Sequence, residues 1–338
     1  MSFYLSDAQM DAAMQTLSQR YRIFAPRRAG RYIRYGEVHT LSEIIFDKKS
    51  DFSTKEVYYP IVQTLLYFSD NECRESALED EREILLLARS CDIHAMRRLD
   101  TIFLENGGQA DNFYERRRRQ VKCILMECQE SFDTCFCVSM GSNQTDDYSA
   151  AIRREPQGVR VQIRDEELVS AFSAGSPCDF EPSFVRENKK TVQVPQIDDR
   201  SLLKDICGLD YWRTFDEKCV SCGGCNTVCG TCSCFDTADI IYDETSRAGE
   251  RRRLWSSCML DDFTTMAGGH RVRSLPGDKM RFKTLHKIYD FKARFGKEHM
   301  CVGCGRCDMR CPKDIHFSET VDTLAKEVLR LKEEVQGK

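Results

Sequence analysis

The chain has 338 residues, enough for about two domains at roughly 100–200 residues each. Its 50 Lys and Arg residues against 54 Asp and Glu residues give a net charge of −4, which argues against a nucleic acid as the main partner because phosphate binding needs a basic excess. No apolar stretch approaches the ~20 residues of a membrane-spanning helix, and the N-terminal residues lack the basic and apolar regions of a signal peptide. We therefore expect a cytoplasmic protein without a membrane span.

Residues 1–205 predict a mixed α/β domain. Apolar residues spaced three and four apart indicate helices, and short apolar runs indicate buried strands. The expected helices are 7–21, 92–105 and 165–174, and the expected strands are 22–24, 31–35, 83–88, 121–126 and 159–163. The strand 159–163 has the alternation typical of an exposed strand. Pro177, Pro182 and Pro195 then mark a loop-rich linker.

Residues 206–338 predict a second domain of different composition. Residues 236–242 suit a strand or a short helix, and 282–295 suit a helix. The last segment predicts a helix with one apolar stripe, formed by Val321, Leu324, Val328, Leu331 and Val335. This stripe either packs on its own domain or docks on a partner subunit. The fold class is thus α+β: a mixed α/β domain, then a ferredoxin-like dicluster domain with a helical insert and a C-terminal helix.

Two cysteine runs with one spacing dominate the second domain. Residues 219–229 read CVSCGGCNTVC and residues 301–312 read CVGCGRCDMRCP, so both contain C-x2-C-x2-C-x3-C. This is the run that binds cubane iron–sulfur clusters in bacterial ferredoxins. Two copies predict two [4Fe–4S] clusters.

The expected ligands follow from the ferredoxin pattern, in which the fourth cysteine of each run binds the other cluster. One cluster is assigned to Cys219, Cys222, Cys225 and Cys311, and the second to Cys301, Cys304, Cys307 and Cys229. The backbone freedom needed to wrap a cluster is expected from Gly223, Gly224, Gly303 and Gly305. Pro312 ends the second run in the usual way, whereas Gly230 stands at this place in the first run.

Other cysteines in this region leave open whether the chain binds a third cluster. Cys232, Cys234 and Cys258 are its candidate ligands, and adding Cys207 gives the region twelve thiols. The alternative is that these residues pack around two clusters and tune them. In the first domain, core packing is weighed against a metal or redox role for Cys91, Cys123, Cys128, Cys135 and Cys137. No dinucleotide-binding or Walker A motif appears, so no catalytic residue is assigned.

Several segments resemble a known family. They are CVSCGGCNTVCGTCSCFD, WSSCMLDDFTTMAGGHRVR, CVGCGRCDMRCP, ARSCDIHAMRRLD, FYERRRR and CFCVSMG. Together, over residues 82–312, they resemble the dicluster iron–sulfur subunits of anaerobic sulfite reductases, the A subunits, and the related sulfhydrogenase β subunits. The resemblance implies two partners, a flavin (FAD) subunit that oxidises NADH and a sirohaem subunit that reduces sulfite to sulfide. It also implies that this chain is a non-catalytic electron carrier between them.

Rival interpretations remain at this point. The chain could be the electron-transfer β subunit of a hydrogenase, or a scaffold whose clusters keep one oxidation state. A zinc-binding regulator is the most remote alternative.

Overall fold

The computed structural model describes residues 1–78 and 80–336, and the chain divides into two compact units. The first unit contains residues 1–130, 144–185 and 235–255, and the second contains 131–143, 186–234 and the residues from 256 onward. This division differs from the single boundary expected at residue 205. Residues 235–255 belong to the first unit because they form strands that pair with one of its sheets.

The first unit contains twelve strands and five helices among the described residues. Its strands are β1 (Ser2–Ser6), β2 (Tyr21–Ala29), β3 (Tyr32–Glu37), β4 (Val62–Phe68), β5 (Cys73–Glu75), β6 (Glu83–Ala88), β7 (Val121–Met126), β8 (Ala150–Glu155), β9 (Gly158–Ile163), β10 (Ser176–Pro177), β11 (Phe235–Asp243) and β12 (Ala248–Trp255). Its helices are α1 (Asp7–Ser18), α2 (Lys55–Tyr58), α3 (Ser90–Leu104), α4 (Asn112–Arg119) and α5 (Glu166–Phe172). The predicted strands 83–88 and 121–126 are confirmed, and 236–242 is a strand.

An eight-stranded sheet has the order β10-β1-β9-β8-β7-β6-β2-β3. The strands β2, β6, β7 and β8 are parallel neighbours, and the other pairs are antiparallel. A second sheet has the order β11-β12-β4-β5 and is antiparallel. The helices α3 and α4 lie between successive parallel strands, as crossover connections require.

Successive residues of the central strands point to opposite faces of the large sheet and fill two cores. On β6, Leu85 and Leu87 pack in one core with α1, whereas Ile84 and Leu86 pack in the other with α3. This double coverage explains the continuous apolar run of β6.

The prediction of an exposed strand at 159–163 is wrong. Strand β9 lies between β1 and β8, and Val159 and Val161 are buried in the first core. On its other face, Gln162 is buried and accepts a hydrogen bond from the Tyr148 hydroxyl at 3.2 Å. The alternating polar residue is therefore a satisfied core side chain.

The second unit is helical. It contains α6 (Leu203–Cys207), α7 (Thr214–Lys218), α8 (Gly224–Thr227), α9 (Pro276–Leu285), α10 (Phe291–Phe295), α11 (Arg306–Arg310) and α12 (Phe317–Gln336). A π-helical turn, His286–Asp290, joins α9 to α10, so the predicted helix 282–295 is confirmed but begins earlier, with Pro276 in its first turn. Trp212 is buried in the core, and its indole nitrogen donates to the Ile206 carbonyl at 2.7 Å.

The apolar stripe of α12 packs within this unit. Val321, Leu324, Val328 and Leu331 are buried in its two apolar clusters. The side chain of Val335 lies outside the described part of the structure. The four described positions therefore favour core packing over docking. Among residues 1–78 and 80–336, no helix has both the length and the apolar composition needed to cross a bilayer.

Candidate iron–sulfur centres

The two cysteine runs have the same backbone conformation. The third position of each run has a positive φ, 51° at Ser221 and 62° at Gly303, and so does the fifth, 71° at Gly223 and 66° at Gly305. A short helix, α8 or α11, begins directly after the fifth position. Gly224 does not have a positive φ, so the expectation that it supplies backbone freedom is not met; Ser221 adopts the left-handed conformation in the first run.

The first thiol set consists of Cys219, Cys222, Cys225 and Cys311. All four line one cavity, although Cys311 comes from the other run. The cavity is also lined by Met259, Met280, Phe317, Lys283 and Cys307. Burial raises the pKa of the Cys219 thiol, and the neighbouring Cys225 and Cys311 raise it further. The tertiary structure thus places the fourth cysteine of the second run beside the first three of the first run.

The second thiol set consists of Cys301, Cys304, Cys307 and Cys229. Burial raises the pKa of Cys301 to about 12, and the nearby Cys229 and Cys304 thiols add to this shift. The pKa of Cys307 is raised well above its ordinary value by burial, and Cys304 and Cys229 again lie close enough to contribute. The exchange of fourth cysteines is therefore reciprocal, and α8 packs against α11.

The residues of both sets fit iron–sulfur clusters. Thiolates are the ligands that such clusters take, and four crowded thiols resist ionisation unless a cation compensates their charge. Bound iron ions supply that compensation. Across the described ranges, no three Cys, His, Asp or Glu side chains converge around the position of a single metal ion.

A segment expected in the first domain covers the second run instead. Residues 131–143 belong to the second unit, where the Phe136 amide donates to the Gly303 carbonyl at 2.8 Å. The Thr134 hydroxyl donates to the Gly305 carbonyl at 3.1 Å, and the Ser142 hydroxyl donates to the Val302 carbonyl at 2.6 Å.

The contact leaves no room for side chains on the covered glycines. A Cβ atom on Gly305 would lie 2.0 Å from the Thr134 carbonyl oxygen, and one on Gly303 would lie 2.5 Å from that of Phe136. These two positions need glycine for close approach as well as for their positive φ. Within the segment CFCVSMG, only the cysteines had been singled out from the sequence, so this covering role of its backbone was missed.

Three buried lysines, two of them beside the thiol sets, were also missed. Lys279, Lys283 and Lys287 are 1%, 4% and 3% exposed and recur every fourth residue along α9 and the π-helical turn. Burial lowers the pKa of Lys283, but Cys225 and Cys307 outweigh it and leave this pKa well above its ordinary value. Lys287 shows the same balance, with Cys229 and Cys232 as the thiols that raise its pKa. Lysines at this spacing in the helix between the two runs were the available sequence signal.

The candidate ligands of a third cluster lie beside the two sets, Cys232 next to the second set and Cys234 and Cys258 in the apolar cluster that includes Cys219 and Cys225. The Cys232 thiol hydrogen-bonds Cys229 and holds the pKa of Cys229 well below its usual value, whereas the pKa of Cys232 is raised. Cys258 hydrogen-bonds Cys234, and this contact and burial raise its pKa. The Asn226 amide also donates to the Cys258 sulfur at 3.2 Å. Cys207 is half-buried at the end of α6, packed against the apolar core of this unit.

The five cysteines weighed in the expected first domain separate into the two units. Cys123 is buried in the first-unit core, and burial raises the pKa of its thiol to about 12. Cys91 lies in the first turn of α3, and the Cys128 thiol donates to the Glu130 carbonyl at 3.3 Å. Cys135 and Cys137 belong to the covering segment of the second unit, where the Cys135 thiol contacts the Cys304 carbonyl at 3.7 Å.

Comparisons with known proteins agree with this centre. Residues 218–315 match the family described as a 4Fe-4S dicluster domain, and no solved structure matches the chain. The chain is 30% identical over 317 residues to sulfhydrogenase 2 subunit beta of Pyrococcus furiosus, which covers 89% of this chain and 91% of that protein. The resemblance to sulfhydrogenase β subunits is thereby confirmed. The chain belongs to the sulfhydrogenase β-subunit family and is an iron–sulfur electron-transfer subunit.

Proposed function

We propose that this chain relays electrons from an NADH-oxidising flavin subunit to a sirohaem subunit that reduces sulfite to sulfide. The observation that carries the proposal is the reciprocal exchange of Cys311 and Cys229 between the two thiol sets. Two sets in one unit suit a relay, because electrons enter at one cluster and leave from the other. The choice of sulfite reductase partners rests on the segments that resemble the A subunits of that family.

The proposed ligands are the members of the two sets. Cys219, Cys222, Cys225 and Cys311 would hold one [4Fe–4S] cluster, and Cys301, Cys304, Cys307 and Cys229 the other. When bound, such clusters supply one-electron storage at a potential set by burial, charge and hydrogen bonds to sulfur. Met259, Met280 and Phe317 line the cavity of the first set and supply apolar surroundings on that side. No residue of this chain is assigned a catalytic role.

The first test is an anaerobic iron and sulfide count on the purified chain. Two [4Fe–4S] clusters give about eight iron atoms, and a third held by Cys232, Cys234 and Cys258 gives about twelve. Reduction is then followed by electron paramagnetic resonance (EPR) after NADH is added to the assembled complex. Signals that appear with NADH and disappear when sulfite is added support the relay. Clusters that never change oxidation state during turnover favour the scaffold role and contradict the proposal.

A hydrogenase β subunit is the second candidate function. It is favoured by the relative in Pyrococcus furiosus, whose name makes it a subunit of a sulfhydrogenase. The subunits that co-purify with the tagged chain distinguish the two candidates. A sirohaem absorption spectrum supports the sulfite reductase, whereas nickel in the complex and reduction of the clusters by hydrogen support the hydrogenase.

A further inference from the structure

We propose that Lys283 and Lys287 are positioning charges that raise the reduction potentials of the two clusters, Lys283 acting on both and Lys287 on one. This inference rests on the proposed function, because it requires that both thiol sets hold reducible clusters. It concerns two buried side chains that no ligand assignment uses.

The two lysines lie beside different thiols, so their effects on the two clusters should differ. Lys283 lines the cavity of the first set, and its ammonium group interacts with Cys225 of that set and Cys307 of the second set. Lys287 follows one turn later, in the π-helical turn, where its strongest interactions are with Cys229 and Cys301 of the second set and with the neighbouring Cys232. Its Nζ donates to the Thr231 hydroxyl at 2.7 Å, which holds the side chain in place. Single π-helical turns occur frequently at functional sites.

Neither lysine has a carboxylate partner among residues 1–78 and 80–336. Buried charges are costly unless they are paired. Lys279, on the same face, satisfies this rule with an ion pair to Asp261 and a 3.2 Å hydrogen bond to the Ser221 hydroxyl. For Lys283 and Lys287, the anionic groups at hand are the thiolates of the two sets and that of Cys232. We infer that their charges compensate ligated clusters.

Compensation changes the energy of adding an electron. A cluster ligated by four thiolates is anionic, and reduction makes it more negative, so a buried cation beside it stabilises the reduced form more than the oxidised form. Removing that cation lowers the reduction potential. Because Lys283 adjoins both sets, it stabilises an added electron on either cluster.

The experiment is an EPR-monitored redox titration of the full chain, purified without air. Lys283→Met should lower both midpoint potentials, each by at least a tenfold shift in the one-electron equilibrium, or about 59 mV. Lys287→Met should lower one potential by a similar amount and leave the other unchanged. Lys283→Arg and Lys287→Arg keep the positive charge, so their midpoint potentials should stay close to those of the wild type.

Lys313 supplies the matched control. It lines the same cavity as Lys283 but is exposed, so water screens its charge. Lys313→Met should leave both potentials unchanged. Iron content is measured for every variant, and Lys283→Gln replaces Lys283→Met if the methionine variant loses iron.

The outcomes separate this inference from the proposed function. A wild-type chain without reducible clusters overturns both. Reducible clusters whose potentials are the same in Lys283→Met, Lys287→Met and wild type overturn only the inference. Loss of iron in both the Met and Gln variants, with retention in Arg, assigns the lysines to cluster assembly and also overturns it.

Discussion

The two cysteine runs have one spacing and one backbone conformation but different surroundings. Val220 in the first run is 55% exposed, and its equivalent in the second run, Val302, is 4% exposed. Cys222 is exposed, whereas Cys304 is buried. Residues 131–143 bond to the second run through Thr134, Phe136 and Ser142, and the first run has α9 residues as neighbours instead. A repeated motif therefore specifies a loop and its ligands, while the rest of the unit decides how far that loop is exposed.

The largest expected effect is common to both runs. Cys222→Ser and Cys304→Ser should each remove about four of about eight iron atoms, because each replaces one proposed cluster ligand. Both variants should abolish NADH-dependent sulfite reduction by the complex, since the relay needs both clusters. The sirohaem subunit should still reduce sulfite with an artificial electron donor, which is the control for assembly. Full iron and full NADH-linked activity in both variants would contradict the ligand assignment.

A reciprocal exchange of third-position residues should show how the runs differ. Gly303→Ser places a Cβ 2.5 Å from the Phe136 carbonyl oxygen, so we expect a loss of about 2 kcal/mol or more in the free energy of unfolding. Ser221→Gly relieves a left-handed serine but removes the hydrogen bond from Lys279, two effects of about 1 kcal/mol each that nearly cancel.

Thermal unfolding and iron content measure this pair of variants. Gly224→Ala is the control, because its added Cβ would make only ordinary van der Waals contacts, with the Cys222 sulfur at 3.6 Å and the Arg310 side chain at 3.7 Å. It should unfold like the wild type. Equal destabilisation by Gly303→Ser and Ser221→Gly would show that the covering segment does not distinguish the two runs.

The smallest expected effect contrasts a packing thiol with the ligand thiols. Burial raises the pKa of Cys123 from 9.0 to about 12 in the folded chain. Between these values the unfolded chain loses the thiol proton while the folded chain keeps it, so the free energy of unfolding falls as pH rises through that window. The limiting slope for one such group is about 1.4 kcal/mol per pH unit. Below pH 9 the stabilisation is complete.

Urea unfolding of wild type and Cys123→Ala at pH 8 and pH 10 measures this slope. The variant should keep all its iron. Between the two pH values, its free energy of unfolding should fall by about 1 kcal/mol less than that of the wild type. An unchanged pH dependence, or a loss of iron, would show that Cys123 does more than pack in the core.

Local sequence patterns predicted the strands that are buried on both faces of the large sheet. The apolar run 83–88 became β6 with the predicted bounds, and 121–126 became β7. The strand 159–163 was also found, but its exposure was wrong because Gln162 looks like a surface residue until Tyr148 is placed opposite it. Segment 131–143 was assigned to the wrong domain because its partners are about 170 residues away along the chain.

The sequence by itself determined the eight cysteines of the two runs, their iron–sulfur character and the family, because these depend on spacing within short segments. Only the tertiary structure decided that residues 131–143 cover one run, and that Lys283 and Lys287 are buried beside the thiols without carboxylate partners in the described part of the chain. These features depend on contacts between distant segments, and electrostatic energies change steeply with distance and burial. Residue spacing within one short segment does not give the distance between side chains of distant segments.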